Sequence, residues 1–291
     1  MQEIKIDKNK CKKDGLCRTV CSVGIFSQEN KSEFPIISGE DKCINCGHCT
    51  AICPAGAINH SSFPESRIRL INKNKIPAYE NLMELIRSRR SVRSFKNTEI
   101  HKETIDKIID AARFAPSAEN NESTKFIVVR QKKILGDIVR ITIDFLQRIH
   151  NLLSNPIVRN IFRLFEKGAV DNAFHGLADI RFVIDKYREG RDVILNNADT
   201  IIVFYAKKNK TFALENANLS LQNATLAAHS LGVGNFYAGY VLTCCQRERK
   251  IHKILNIPID HQIFGILALG IPNIKFNNWI EKKKPDMNFI E

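Results

Sequence analysis

The chain has no apolar run approaching about 18 residues, the length that begins to read as a membrane-spanning helix. Its first residues lack the apolar stretch of a secretory signal, so the expectation is a cytoplasmic protein without a membrane span. No glycine-rich dinucleotide fingerprint follows an apolar run, which argues against a Rossmann fold. No Ser-His-Asp or metallohydrolase pattern occurs, and the eight histidines are scattered. Acidic residues are scarce beside basic ones, 31 against 44, for a formal net charge of +13. The lysines are spread along the chain with no arginine–aromatic interleaving, which argues against a nucleic-acid partner. Lys, Asn and Ile are all abundant, so most of this charge reads as compositional bias. Mean hydropathy is −0.21, and 44% of residues are hydrophobic, in keeping with a globular chain.

What the chain does have is cysteine, concentrated near one end. The run Cys43, Cys46, Cys49, Cys53-Pro54 has three steps of three and four residues, ending at proline. That spacing lets one loop present several thiolates to a cuboidal iron–sulfur cluster, and zinc is the next reading for clustered cysteines. An earlier run carries Cys11, Cys17 and Cys21, with Asp14 where a second cysteine would stand. In two-cluster arrangements the fourth cysteine of each run ligates the other cluster. One cluster then takes Cys43, Cys46, Cys49 and Cys21. The other takes Cys11, Cys17 and Cys53, with two readings open for the fourth corner. Asp14 can be a hard carboxylate ligand to a labile iron, or a turn residue before Gly15 beside a cluster of three irons. Bound clusters add negative charge, about two units for a 4Fe-4S cluster on four thiolates, so the true basic surplus is smaller. With seven of nine cysteines so assigned, a reducing compartment is expected. Cys244 and Cys245 remain and read as buried thiols.

The two runs form an internal repeat, with "CSVGIF" after the first matching "CPAGAI" after the second. This resembles the two-cluster bacterial ferredoxins over residues 1–63. Each half is expected to be a strand, a cluster loop and a short helix, held together largely by the clusters. The polar, prolyl stretch "SSFPESRIRLINKNKIPA" marks the junction, with 64–78 as a linker. Residues 79–291 are long enough for a second domain with a sizeable core.

In that second part, one-face apolar spacing predicts helices from Tyr79, over Lys102 to Phe114, from about 131 to 150, and over 215–231. "FIVV" at 126–129, "TIIVFY" at 200–205 and "IFGILALG" read as buried strands. "GVGNFYAGYV" reads as a glycine-rich turn and strand, followed by a helix over Gln246 to Leu255. "IVRNIFRLF" is basic and amphipathic and reads as a lid or dimer-packing helix, with a membrane surface as the alternative. Helices between separated strands indicate an α+β fold.

Arg89, Arg90, Ser91 and Arg93 crowd the end of a predicted helix, where forked and short donors can clamp a phosphate. Such arginines also suit a helix C-terminus. "AARFAPSAEN" stops a helix at proline and closes on Asn120, whose amide can both donate and accept. "SLGVGNFYAGYV" offers small residues that let a flat ring approach the backbone. The segments "RRSVRSF", "APSAEN" with "KFIVV", "GVGNFYAGY" and "LALGIPN" together resemble the FMN-dependent nitroreductase family over residues 80–291. The resemblance implies an α+β homodimer with exchanged tails and FMN at the subunit interface. It puts Arg89, Arg90, Ser91 and Arg93 on the phosphate and ribityl chain. Pro116, Ser117, Ala118 and Asn120 fall against the ring, and Gly232, Gly234 and Gly239 on the turn beside it. One of Lys282, Lys283 and Lys284 completes the phosphate site. The chain departs from the family pattern at Glu122, Ser123 and Thr124, where glutamine, proline and an aromatic are usual, and at Phe236-Tyr237, where cysteine-tryptophan is frequent.

The combined reading is an iron–sulfur flavoprotein oxidoreductase. It carries FMN and two clusters, one 4Fe-4S and one 4Fe-4S or 3Fe-4S. It passes electrons to a small organic acceptor such as a nitro compound or quinone. The donor is NAD(P)H or reduced ferredoxin, and a basic surface would attract an acidic ferredoxin or flavodoxin. The competing reading is a non-catalytic electron-transfer or redox-sensing subunit.

Overall fold

The computed structural model describes residues 3–155, 157 and 167–291, and the chain divides into two compact units. The first contains Met1–Pro77 together with Ser117–Asn121; the second contains Ala78–Pro116 and Glu122–Glu291.

In the first unit β1 (Ile4–Ile6) pairs antiparallel with β4 (Ile58–His60), and β2 (Phe26–Ser27) with β3 (Ile36–Ile37). The short helices α1 (Leu16–Val20) and α2 (His48–Ile52) each follow a glycine in the left-handed region, Gly15 at φ 72° and Gly47 at φ 71°. Glycine adopts that conformation without the steric cost of a Cβ, so the repeat seen in the sequence recurs in the backbone. The core is small: Ile4, Ile25, Phe26 and Ile58, with Cys17 and Cys49. The junction after Phe63 contains only two single 3₁₀ turns, Glu65–Arg67 and Lys73–Lys75, and its Leu70 is 98% exposed.

The second unit is built on a four-stranded antiparallel sheet, ordered β5 (Lys125–Val129), β6 (Thr200–Lys207), β8 (His261–Gly270), β7 (Gly234–Tyr237). Successive side chains of a strand point to opposite faces. On β6, Ile201 and Val203 enter one core while Ile202 and Phe204 enter another. Burial on both faces explains why this strand reads as a continuous apolar run. One face is covered by α4 (Lys102–Arg113) and α7 (Ala213–Ser230), the other by α5 (Lys132–Ser154) and α8 (Gly239–Arg247). The fully buried Ala217, Ala224 and Ala228 let α7 approach its neighbours closely. Ser220 Oγ donates to the Ala112 carbonyl at 2.7 Å. Helices α3 (Tyr79–Ser88), α6 (Lys167–Arg188) and α9 (Lys250–Ile254) complete the unit.

Most of these elements follow the expected helices and strands; α6 lies in a stretch with no expected element, and two differences follow β7. The strand expected through "GNFYAGYV" ends at Tyr237, and α8 begins at Gly239. Aromatic and β-branched residues favour a strand locally. Val241, Leu242, Cys244 and Cys245 are buried at helical spacing, however, and their packing decides the outcome. The helix expected over Gln246 to Leu255 is correspondingly two, because Glu248 is extended between α8 and α9. Residues 158–165 of the "IVRNIFRLF" stretch lie outside the described residues.

Candidate cluster and flavin sites

In the first unit, Cys21, Cys43, Cys46 and Cys49 line one small cavity. These are the four cysteines grouped by the crossed-ligation rule. Cys21 arrives from the end of α1, and the other three from the loop and first turn of α2. Two thiol sulfurs already receive backbone N–H groups, and an imidazole nitrogen faces a third. The Lys13 amide donates to Cys11 Sγ at 3.4 Å, the Ala57 amide to Cys53 Sγ at 3.3 Å, and the His60 ring lies 3.6 Å from Cys43 Sγ. The ligand sulfurs of an iron–sulfur cluster accept such donors. These thiols therefore suit a cluster better than an apolar core. Burial pushes the Cys17 and Cys49 thiols above their ordinary range, so a metal must supply the drive to deprotonate them. Among the described residues no three His, Cys, Asp or Glu side chains are gathered closely enough to hold a single metal ion. Asp14 is exposed, and its Oδ1 accepts the Leu16 amide at 3.1 Å, which is the bond of a turn residue entering α1.

Asn120 also belongs to this unit, and its side-chain amide donates to the Asn45 carbonyl at 2.8 Å, inside the Cys43–Cys46 loop. Ser117 and Ala118 lie in the same segment, whose Glu119 and Asn120 have positive φ of 53° and 49°. Pro116, the exposed residue before it, is assigned to the second unit.

In the second unit the strap after α3 docks beside β7. Ser91 bridges Asn235, and the Val92 amide donates to the Asn235 carbonyl at 3.0 Å. Two bonds then tie the strap to the tail: the Lys96 amide to the Ile271 carbonyl at 2.8 Å, and the Asn273 amide to the Ser94 carbonyl at 2.9 Å. A Cβ on Gly234 would sit 2.9 Å from Val92 Cγ1, so a glycine is needed for this approach. Gly232, at φ 73°, closes α7 and suits its left-handed position. Gly239 opens α8.

Arg89 and Arg90 are half-buried, whereas Ser91 and Arg93 are exposed. The Arg93 guanidinium lies 5.5 Å from the centre of the Phe236 ring. Ser88 Oγ bonds His229 Nε2 at 2.9 Å, which fastens the end of α3 to the last turn of α7. Burial, and then the charge of Arg89, hold His229 below the usual imidazole range. The sequence left two neighbours unnoticed. Asn235 is buried and donates to the Thr225 and Val233 carbonyls, yet its Oδ1 has no partner. Trp279 of the tail lies under Arg87 at 5.1 Å. Only long-range pairing of the strap with β7 and the tail reveals either. Lys282, Lys283 and Lys284 are exposed.

A cavity of about 770 Å³ lies elsewhere in this unit, lined by residues such as Phe95, Lys132, Tyr187 and Asp199, and by none of the expected flavin residues. Its acids are already engaged. Asp192 accepts the Ile194, Leu195 and Asn197 amides, and Asp199 accepts the Ile100 amide.

Residues 86–271 match the Nitroreductase family. The chain belongs to that family. Residues 9–58 of this nitroreductase-family chain match a 4Fe-4S dicluster domain. A nitroreductase with bound FMN from Desulfitobacterium hafniense has the same fold, at a TM-score of 0.55 and 22% identity, covering 72% of this chain and 97% of that one. A protein of Methanothermobacter thermautotrophicus, provisionally named an NADH dehydrogenase/NAD(P)H nitroreductase, is 28% identical over 66% of this chain and 78% of its own. The 7Fe ferredoxin of Hydrogenibacillus schlegelii is 41% identical over 22% of this chain and 78% of its own. The family member is therefore a nitroreductase fold joined to a ferredoxin-like 4Fe-4S domain. No helix among the described residues is long and apolar enough to cross a membrane.

Proposed function

We propose that this nitroreductase-family chain passes electrons between two iron–sulfur clusters and FMN and reduces a small organic acceptor of the nitro or quinone class. The observation that carries the reading is the presence, in one chain, of a cavity lined by Cys21, Cys43, Cys46 and Cys49 and of the arginine strap beside β7. When bound, clusters supply one-electron steps and FMN joins them to two-electron chemistry. Within the chain, Arg89, Arg90, Ser91 and Arg93 hold the phosphate and ribityl chain through forked and hydroxyl donors. Gly232, Gly234 and Gly239 keep the neighbouring backbone open to the ring, and Pro116, Ser117, Ala118 and Asn120 serve the ring edge. Cys11, Cys17 and Cys53 hold the other cluster. The Leu16 bond to Asp14 and the 7Fe name of the ferredoxin relative favour a three-iron form there, with Asp14 as a turn residue. The NAD(P)H named for the Methanothermobacter relative favours that donor. The working form is a homodimer in the cytoplasm.

Replacing Arg89 or Arg93 by alanine removes a charge-assisted phosphate contact worth about 1.5–3 kcal/mol, so FMN should dissociate about tenfold more readily or worse. Fluorescence titration with FMN measures this, and unchanged affinity in both variants defeats the phosphate assignment. Anaerobic protein should hold about seven irons and about eight sulfides. Zinc in their place would defeat the cluster assignment.

A further inference from the structure

His60 ends β4, where it pairs with Ile4 of β1, and its side chain is 4% exposed. The Ser62 backbone amide donates to His60 Nδ1 at 3.1 Å. Nδ1 is thus an acceptor, so the ring proton sits on Nε2. Nε2 lies 3.6 Å from Cys43 Sγ, within reach of an N–H···S hydrogen bond. The ring is also held from the side. Phe63 packs against it, tilted by 59° with centroids 4.8 Å apart, and the Phe63 amide donates to the His60 carbonyl at 2.9 Å. Phe63 in turn fills the space over Gly47, where a Cβ would lie 3.3 Å from the ring. The imidazole also lines the cavity of Cys21, Cys43, Cys46 and Cys49.

We propose that His60 is a positioning residue that sets the reduction potential of the cluster held by Cys43, donating its Nε2–H to that thiolate. The proposal rests on the ligand reading given above. A cluster gains negative charge on reduction, and part of that charge falls on the ligand sulfurs. A donor aimed at one of them stabilises the reduced form more than the oxidised form, so it raises the potential. The thiols of the other set that receive donors, Cys11 and Cys53, take them from backbone amides, which side-chain replacement does not remove. His60 is thus an adjustable donor that acts on one cluster.

The test is a redox titration of full-length, anaerobically purified protein, followed by EPR for each cluster. His60→Leu should lower the potential of one cluster by about 59 mV, a tenfold shift in a one-electron equilibrium, and leave the other in place. His60→Gln, which keeps an N–H donor, should recover most of the shift. Full iron and sulfide with unchanged potentials in His60→Leu overturns the proposal, as does an equal shift in both variants. Parent protein that lacks iron and sulfide overturns the underlying ligand reading instead. If His60→Leu does not assemble clusters, His48→Ala protein labelled with ¹⁵N-histidine gives a second readout. His48 is exposed, so its removal leaves His60 as the histidine packed against a cluster thiol. Pulsed EPR of the reduced cluster should then show ¹⁵N coupling, and its absence overturns the proposal.

Discussion

The two units of the chain solve the same problem with opposite means. In the first, Ile4, Ile25, Phe26 and Ile58 are joined by Cys17 and Cys49, so proposed ligands form part of the apolar core. In the second, β6 and β8 are buried on both faces, and the proposed flavin residues lie at the margin of the sheet beside β7. A small domain buries too little apolar surface to offset its chain entropy, so a bound group must supply the difference. A large domain does not need its cofactor in order to fold. The lesson is that cofactor loss should unfold one unit and merely empty the other.

The sharpest way to break that contrast is Cys46→Ser. It should strip the iron and sulfide of the cluster proposed on Cys21, Cys43, Cys46 and Cys49 and open the first unit to proteolysis, while the protein keeps its yellow flavin. Limited proteolysis with flavin absorbance measures both, and a protease-resistant first unit without iron would defeat the contrast. Next in size is Phe204→Ala. Phe204 is fully buried and meets Phe126 edge-on, with centroids 5.4 Å apart. Its truncation should cost about 3–5 kcal/mol. Calorimetry should show one transition lowered and the cluster EPR signals unchanged.

The smallest effect at neutral pH concerns His252, fully buried in the second unit. Burial, reinforced by Arg249 and Lys208, holds its imidazole down at about 4. The unfolded chain therefore binds a proton that the folded chain refuses between the ordinary value of about 6.5 and about 4. The stability of this unit should be unaffected by this group above that window and fall as pH drops through it. His252→Phe should flatten that part of the unfolding profile, and an unchanged slope would show that other groups control it.

Much of this was legible in the residues because it is local. The cysteine spacing, the repeat of the two cysteine runs, and the unbroken apolar runs of β6 and β8 all act within a few positions. The start of α8 was not legible. "NFYAGYV" favours a strand on propensity, and only the burial of Val241, Leu242, Cys244 and Cys245 turns it helical. Those two cysteines read as buried thiols and are so, with Cys244 pushed up to about 11 and Cys245 higher still by burial. The partition of "APSAEN" was equally hidden. A proline stop and a polar turn say nothing of where the turn docks, and the bond from Asn120 to the Asn45 carbonyl groups it with the cysteine loop.

By itself, then, the sequence determined the family, the α+β class and which cysteines can share a loop. Periodicity and ligand spacing are short-range properties that a chain carries before it folds. Only the tertiary structure decided that Ser91 pairs with Asn235, that Gly234 must yield to Val92, and that His60 turns its Nε2 toward Cys43. Each of these joins residues far apart in the chain. Their meeting depends on strand register and on close packing, and no local pattern encodes either.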